Sequence, residues 1–330
     1  MPGKERYNMM LKKETLEKIK DNLENPHWFC MTLGGKYLRW MSDKDYLSFF
    51  YRVFWHKKLD WDNPKLFTEK LLWLKLYNQK PEYTDMVDKY EVKRIVSERV
   101  GSEYVIPALG VWERFEDIDF SKLPNEFILK ATHDSGGFVV CKDKKTFDYK
   151  AAQKKISKRL KRNFYWKGRE WPYKNVKPRI IAEPYIDSLG KPDSVEYKLT
   201  CFDGVAKLIT VCRGVAHSAL SYRTNDHYDR DLNPRFWYAY YKNSTEPLTL
   251  PKEIYKIIEL AEKLSEGIPQ VRVDFYLVDG QIYFGEMTFF TWGGFIKFNP
   301  KEQDEIMGEW IVLPPKYVET EGMNIRKDKR

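Results

Sequence analysis

Two carboxylates on either side of a turn signal could hold a hard cation, and the segment Arg272-Val-Asp274-Phe-Tyr-Leu-Val-Asp279-Gly280-Gln-Ile-Tyr-Phe-Gly-Glu286-Met-Thr288 carries such a pair in Asp274 and Glu286. Asp-Gly between alternating apolar runs is a strong hairpin signal, and the loop length decides which side chains share a face. A two-residue loop, Asp279 and Gly280, sets Asp274 opposite Gly285 and sends Glu286 to the other face beside Val273 and Phe275. A three-residue loop, Val278 to Gly280 with Gly280 left-handed, sorts the faces better. One face then carries Val273, Phe275, Leu277, Tyr283 and Met287, and the other Arg272, Asp274, Glu286 and Thr288. This second register is the expectation. Two carboxylates and a hydroxyl suit Mg²⁺, which takes oxygen ligands and shares itself with substrate phosphates. The same residues equally allow an ion pair of Arg272 with Asp274 or Glu286, and spacing alone leaves both readings open.

A second stretch reads as strand, glycine-rich loop, strand: Phe127-Ile-Leu-Lys130-Ala-Thr-His133-Asp134-Ser135-Gly136-Gly137-Phe-Val-Val-Cys141. No Gly-Lys-Ser/Thr opens a helix here, so it is not a Walker loop. Exposed amides around Ser135 to Gly137 could close over phosphates, with Lys130 adding positive charge; an ordinary turn has the same composition.

The elements that must position these groups follow from pattern. At 330 residues the chain exceeds one small core and implies two or three subdomains. Residues 1–80 read as a helical extension whose aromatics, Tyr46, Phe49, Phe50, Phe54 and Trp55 among them, fall at helical spacing; core packing is the expectation, with a peripheral membrane contact as the alternative. A helix follows Asp88-Lys89-Tyr90 and ends before Gly101, and strands are expected at Tyr104 to Ile106 and Phe127 to Ala131. Ala151 to Arg162, with Ile156 and Leu160 inward, reads as a basic amphipathic helix. Then come an apolar strand from Arg179 ending in a Glu183-Pro-Tyr185-Ile186 bend, a Glu196-Tyr-Lys198 strand leading into an Asp203-Gly204 hairpin, and a helix over Pro251 to Ser265 closed by Gly267.

The net charge of +9 is local in origin: Lys142 to Lys177 holds fourteen Lys or Arg against Asp143, Asp148 and Glu170, and the rest of the chain is near neutral. No nucleic-acid-binding pattern accompanies that charge, so no nucleic-acid partner is expected. Four cysteines without CxxC spacing point to reduced thiols and a cytoplasmic setting, and the five histidines make no zinc spacing. The start has no apolar signal-like run, and nothing approaches the roughly 18 apolar residues of a membrane helix.

Lysine on a strand, glycine-rich hairpin, basic helix, Glu-Pro bend, Glu-x-Lys strand, helix, then Asp and Glu on a hairpin: from about Asp88 to Thr288 this order resembles the ATP-grasp superfamily. Phe67-Thr-Glu-Lys-Leu-Leu-Trp-Leu-Lys-Leu-Tyr77 and Tyr283-Phe-Gly-Glu-Met-Thr-Phe-Phe290 resemble its TupA-like branch, associated with teichuronic acid and other surface polysaccharides. The resemblance implies an α+β ATP-grasp fold, two α+β subdomains gripping ATP, after the N-terminal helical extension. The implied divisions are 81–125 as an N-terminal α/β subdomain, 126–186 as the lid, and 187–330 as the C-terminal subdomain with the metal hairpin.

By the same resemblance Lys89 and Lys130 are phosphate lysines, and Ser135, Gly136 and Gly137 form the loop over the β and γ phosphates. Glu183, Tyr185 and Ile186 form the hinge at the adenine, Glu196 takes the ribose hydroxyls, and Lys198 points from the same strand face toward the phosphates. Asp274 and Glu286 are the magnesium acids. Many members carry Asn two positions after the metal glutamate, where this chain has Thr288 as a further oxygen donor. Arg272, Lys198 and Arg213 are the expected catalytic residues, Arg272 steadying a transferring phosphoryl group. Arg213, His217, Arg223 and Asn225 are expected around the acceptor, within a stretch that also reads as a long surface loop, and Trp166, Arg169, Trp171 and Tyr173 either grip a ligand or pack the lid.

The implied activity is an ATP- and Mg²⁺-dependent carboxylate-amine ligase working through an acyl phosphate, joining an amino acid or amine to a carboxylated sugar in surface polysaccharide biosynthesis. Its partners would be a small-molecule or glycan acid and an amine acceptor, with peripheral association with membrane-bound polysaccharide machinery. A sugar or glycan kinase using the same ATP site and a glycosyltransferase of polysaccharide assembly are the competing readings.

Overall fold

The computed structural model describes residues 26–317 apart from 187, 188, 190, 192, 193, 216–222 and 247. They divide into two compact units, one formed by the residues up to Leu59 with Trp166–Arg169, the other by Asp60–Tyr165 and the chain from Glu170 onward.

In the first unit, helices α1 (Pro26–Tyr37) and α2 (Asp43–Trp55) pack around Met31, Tyr46, Leu47, Phe50 and Tyr51. Ser42 starts α2 by accepting from the Asp45 amide at 3.1 Å. Gly34 lets the Phe50 ring approach to a distance that a Cβ would forbid. Arg169 is buried here: it donates to the Leu38 carbonyl at 2.9 Å and lies over the rings of Tyr46 and Trp166. Its role is packing, and the ligand-gripping alternative is set aside for it.

The second unit holds helices α3 (Phe67–Tyr77), α4 (Glu82–Val87) and α5 (Glu91–Arg99) and two antiparallel sheets. One sheet has the order β1-β4-β2-β3, with β1 Gly110–Trp112, β2 Phe127–Ala131, β3 Phe138–Cys141 and β4 Ile180–Pro184. Alternation along β2 buries Phe127, Leu129 and Ala131, and α6 (Tyr149–Leu160) contributes Ala152 and Ile156 to the core around Phe127 and Leu129. Ile128 and Lys130 are left on the opposite face. The strand expected at Tyr104 to Ile106 is not formed: Ser102–Tyr104 is a 3₁₀ turn, and the strand comes later, where Gly110 to Trp112 pairs with Ile180 to Ala182.

The other sheet has the order β10-β9-β5-β6-β7-β8: β5 Val195–Phe202, β6 Val205–Arg213, β7 Thr224–Tyr228, β8 Pro234–Arg235, β9 Val271–Val278 and β10 Gln281–Thr288. Helix α7 (Ile254–Ser265) lays Ile257, Ile258, Ala261 and Leu264 on β5, β6 and β9. Leu199, Ile209 and Val273, which lie in one row of the register, form part of the buried apolar face. Helix α8 (Gln303–Trp310) ties α3 to this body: Asp304 accepts from the Thr68 amide at 2.9 Å, a cap that Leu66 at the helix start has no side-chain oxygen to provide. No described helix is long and apolar enough to cross a membrane.

The Asp279-Gly280 loop has two residues, against the three-residue expectation: Val278 pairs with Gln281, and both loop residues have positive φ, 51° and 79°. The faces are sorted instead by a bulge at Gly285, between the Phe284–Phe275 and Glu286–Asp274 pairs. Thr288 then faces Arg272, so Arg272, Asp274, Glu286 and Thr288 do share a face. Tyr283 moves to that face, paired with Tyr276, and Ile282 and Phe284 take its place on the apolar one.

Candidate functional site

The register aligns three polar rows across one face of the larger sheet. They run Thr288, Arg272, Thr200; Glu286, Asp274, Lys198, Thr210, His227; and Tyr283, Tyr276, Glu196, Cys212, Asn225. Glu196 and Lys198 alternate with the buried Tyr197 and Leu199, which is why a Glu-x-Lys spacing delivers both charges to the same side.

These charges are mutually satisfied. Arg272 donates to both Asp274 oxygens, to Glu286 Oε1 at 3.1 Å and to Thr288 Oγ1 at 3.1 Å. Lys198 Nζ lies 2.7 Å from Asp274 Oδ2 and 2.6 Å from Glu196 Oε2. Burial alone would lift the Asp274 carboxyl, but Arg272 and Lys198 outweigh it and hold the group below the usual carboxylate range. Lys198 is likewise disfavoured by burial and held above its usual range by Asp274.

Facing this sheet, a cavity of about 640 Å³ is lined from both sheets and from the start of α5. Val105, Ile106, Ile128, Val140 and Phe284 give it apolar walls, and Lys89, Lys93, Lys130, Glu183, Glu196 and Glu286 give it charge. Gly136, Gly137, Tyr185 and Ile186 also reach it, whereas Ser135 is not part of the lining and accepts from Arg159 through its carbonyl at 2.8 Å.

Asp88 fixes the lysines: it accepts from the Tyr90 amide at 2.8 Å as α5 opens, and Arg179 at the head of β4 grips its other oxygen at 2.8 Å. Lys89 Nζ donates to the Asp134 carbonyl at 2.6 Å, and burial pushes its ammonium below the usual lysine range. Lys93, one turn along, was missed in the sequence although its i,i+4 spacing from Lys89 was a visible signal. It holds Glu183 Oε1 at 2.6 Å while Lys130 holds Oε2 at 2.6 Å. The Glu183 carboxylate, 5% exposed, is therefore clamped by two lysines, and these keep it ionised against the effect of burial.

The glycine-rich loop has a latch that the sequence did not disclose. Arg159, from the far end of α6, places Nε 2.6 Å from Asp134 Oδ2 and also donates to the Gly136 carbonyl. Gly137 has φ of +89°, and a Cβ there would fall 2.1 Å from Arg159 Nε, so the latch needs glycine on both counts.

Not every expected residue arrives. Arg213 lies in the row of Val195 and Thr224, on the sheet face opposite Asp274, and donates to Asp226 Oδ2 at 2.7 Å; the sheet's two-residue period removes it from the face that carries Glu196, Lys198 and Asp274. Arg223 donates to the Val215 carbonyl at 3.0 Å, Asn225 joins β7, and the stretch expected as a surface loop thus contains two strands of the sheet. His217 lies outside the described residues. Trp171 is buried, and Tyr173 packs where burial, then Glu170 and Glu286, push its hydroxyl well up.

Asp274, Glu286 and Thr288 offer only oxygen donors, a set that would fit Mg²⁺. Among the described residues no group of three His, Cys, Asp or Glu forms a preformed metal cage, so an ion here would be completed by other oxygens such as phosphates. The half-exposed Glu286 is the accessible acid, with Asp274 already bound by two cations.

The match to the TupA-like ATP-grasp family runs over residues 69–312. The chain belongs to this family. Its fold is α+β ATP-grasp, with helices preceding the matched region, and members of ATP-grasp families are typically ATP-dependent ligases that use ATP and Mg²⁺. Similar solved structures include three ligases. D-alanine–D-alanine ligase from Bacillus anthracis, complexed with ATP, is 18% identical over 62% of this chain and 54% of that one, with a TM-score of 0.36. The ATP-grasp ligase PsnB complexed with minimal precursor is 7% identical over 70% and 61%, TM-score 0.37. Phosphoribosylamine–glycine ligase from Thermotoga maritima is 14% identical over 63% and 48%, TM-score 0.36. The chain thus spans about half to three-fifths of the length of these structures. No curated protein matches it.

Proposed function

We propose that this TupA-like ATP-grasp protein is an ATP- and Mg²⁺-dependent carboxylate-amine ligase acting in surface polysaccharide biosynthesis. The observation that carries the reading is the cavity of about 640 Å³, where apolar walls able to take a flat base meet Lys89, Lys130, the Gly136-Gly137 loop, Glu196 and Glu286. In this reading Lys89 and Lys130 neutralise phosphates, with Lys130 exchanging part of its Glu183 pair for phosphate oxygens. Tyr185 and Ile186 border the base, Glu196 accepts from ribose hydroxyls, and Glu286, with Asp274 and Thr288 beside it, would hold a Mg²⁺ that neutralises phosphate charge.

The reaction class is acyl activation. A carboxylate oxygen attacks the γ-phosphorus and ADP leaves; an amine then attacks the acyl carbon, inorganic phosphate leaves, and the amine proton is lost to solvent. Catalysis by positioning and charge neutralisation asks for no covalent enzyme intermediate. Arg272 and Lys198 are the cations placed beside the Mg²⁺ acids, where charge would develop. The acid is proposed to be a carboxylated sugar and the nucleophile an amino acid or amine.

The test is phosphate release by the purified protein with ATP and Mg²⁺ over a matrix of sugar acids and amines. Release that requires both an acid and an amine, with an amide product by mass, supports the ligase. A phosphorylated sugar as the end product makes it a kinase, and turnover of a sugar nucleotide without ATP makes it a glycosyltransferase.

A further inference from the structure

The first unit carries an apolar surface that the nucleotide site does not explain. Helix α1 has a single Lys and no Arg, Asp or Glu, with Thr32 and Lys36 as an exposed polar edge. Met31, Gly34 and Gly35 face inward, while Phe29, Leu33 and Tyr37, spaced i,i+4,i+8, line the opposite side with exposures of 42%, 42% and 61%. Trp40 follows at 79% exposed, and α2 adds Phe49 and Val53, again i,i+4, at 47% and 43%. A water-facing surface does not usually gather large apolar groups in this way.

The charge around these residues selects the occupant. Residues 26–59 carry Lys36, Arg39, Lys44, Arg52, Lys57 and Lys58 against Asp43 and Asp45 only. Asp43 lies 3.6 Å from the buried Arg169 guanidinium, which offsets one of the two acids. Trp and Tyr beside Lys and Arg is the composition of a membrane interface: the rings sit at headgroup depth, and the cations meet lipid phosphates.

We propose that this N-terminal unit docks the protein on an anionic phospholipid surface, inserting Phe29, Leu33, Tyr37 and Trp40 to headgroup depth with Lys36 and Arg39 on lipid phosphates. The attachment is peripheral and reversible, and it holds whatever reaction the second unit performs.

The experiment is co-sedimentation of the full chain with vesicles of phosphatidylcholine alone and of phosphatidylcholine mixed with phosphatidylglycerol, for the unaltered protein and for the Tyr37→Ser/Trp40→Ser variant. Both side chains are exposed, so an unchanged melting temperature is expected and serves as the folding control. The expected result is binding to the mixed vesicles that exceeds binding to phosphatidylcholine, weakens with salt, and falls about tenfold or more in the variant. Brominated lipid acyl chains should quench tryptophan fluorescence in the unaltered protein and much less in the variant. No binding to either vesicle overturns the proposal, as does binding that the variant leaves intact, which would assign it to another surface such as the basic 142–177 stretch. Concentration-dependent self-association that the variant abolishes, without vesicle binding, would make the face an interface between two copies and also overturns it.

Discussion

Arg272 grips Asp274 from two residues away on the same strand, with Nε 2.6 Å from Oδ1 and Nη2 2.7 Å from Oδ2. Two parallel charge-assisted bonds orient both groups, and Lys198 adds a second cation on the same carboxylate. Asp274 is therefore the electrostatic anchor of the site, and Glu286, whose side chain is 48% exposed, is the member able to change partners.

The two acids should respond differently to substitution. Asp274→Ala leaves Arg272 and Lys198 together without their shared counter-ion and is expected to cost about 3–5 kcal/mol of stability. Glu286→Gln keeps shape and exposure and should alter stability by less than about 0.5 kcal/mol while removing Mg²⁺-dependent nucleotide binding. Urea melts of the two variants check the contrast; equal destabilisation would contradict it.

Gly137→Ala puts a methyl group against Arg159 and forces a non-glycine residue to φ near +89°. Either the loop or the guanidinium, which Asp134 and the Ser135 carbonyl hold, must shift, and the positive φ strains the loop in both cases. Nucleotide affinity is expected to fall about tenfold with little change in melting temperature, since the strain is confined to the loop. An unaltered Kd by calorimetry would show that the latch does not shape the phosphate loop.

His227 stacks on Trp237 with ring centroids 4.8 Å apart, and its Nδ1 meets Thr210 Oγ1 at 3.0 Å. Burial pushes the imidazole from 6.5 down to about 4. The folded chain then binds fewer protons than the unfolded chain between these values. Stability from this group is thus complete above about 6.5 and is lost as pH falls toward 4, by on the order of 3 kcal/mol. His227→Phe should flatten that part of the stability profile relative to the unaltered protein. A difference between the two that stays constant from pH 7 to pH 4 would contradict the assignment.

Much of the site was legible because period-two alternation makes strand chemistry readable. Glu196 and Lys198, and Arg272 and Asp274, share a face for that reason alone. The hairpin was sorted correctly at its charged end through the wrong device, a longer loop in place of the Gly285 bulge, since a bulge leaves only a glycine as its trace. Tyr283 leaves its expected face for the same reason. Arg213 failed because its parity within β6 is set by pairing with β5, which no local pattern reveals. Arg159 was hidden for a related reason: its partners in the 134–137 loop lie more than twenty residues away, and the thirteen other basic residues between Lys142 and Lys177 offered no means of telling the latch from the solvated charges.

Calorimetric titration of the full protein with ATP in the presence and absence of Mg²⁺, repeated on Glu286→Gln and with a uridine diphosphate sugar, reads the nucleotide site itself. Saturable, Mg²⁺-dependent ATP binding that the substitution abolishes is expected, with no heat from the sugar nucleotide. Binding of the sugar nucleotide with none of ATP, in a protein whose melting curve shows it folded, would contradict the nucleotide site and the ligase reading built on it.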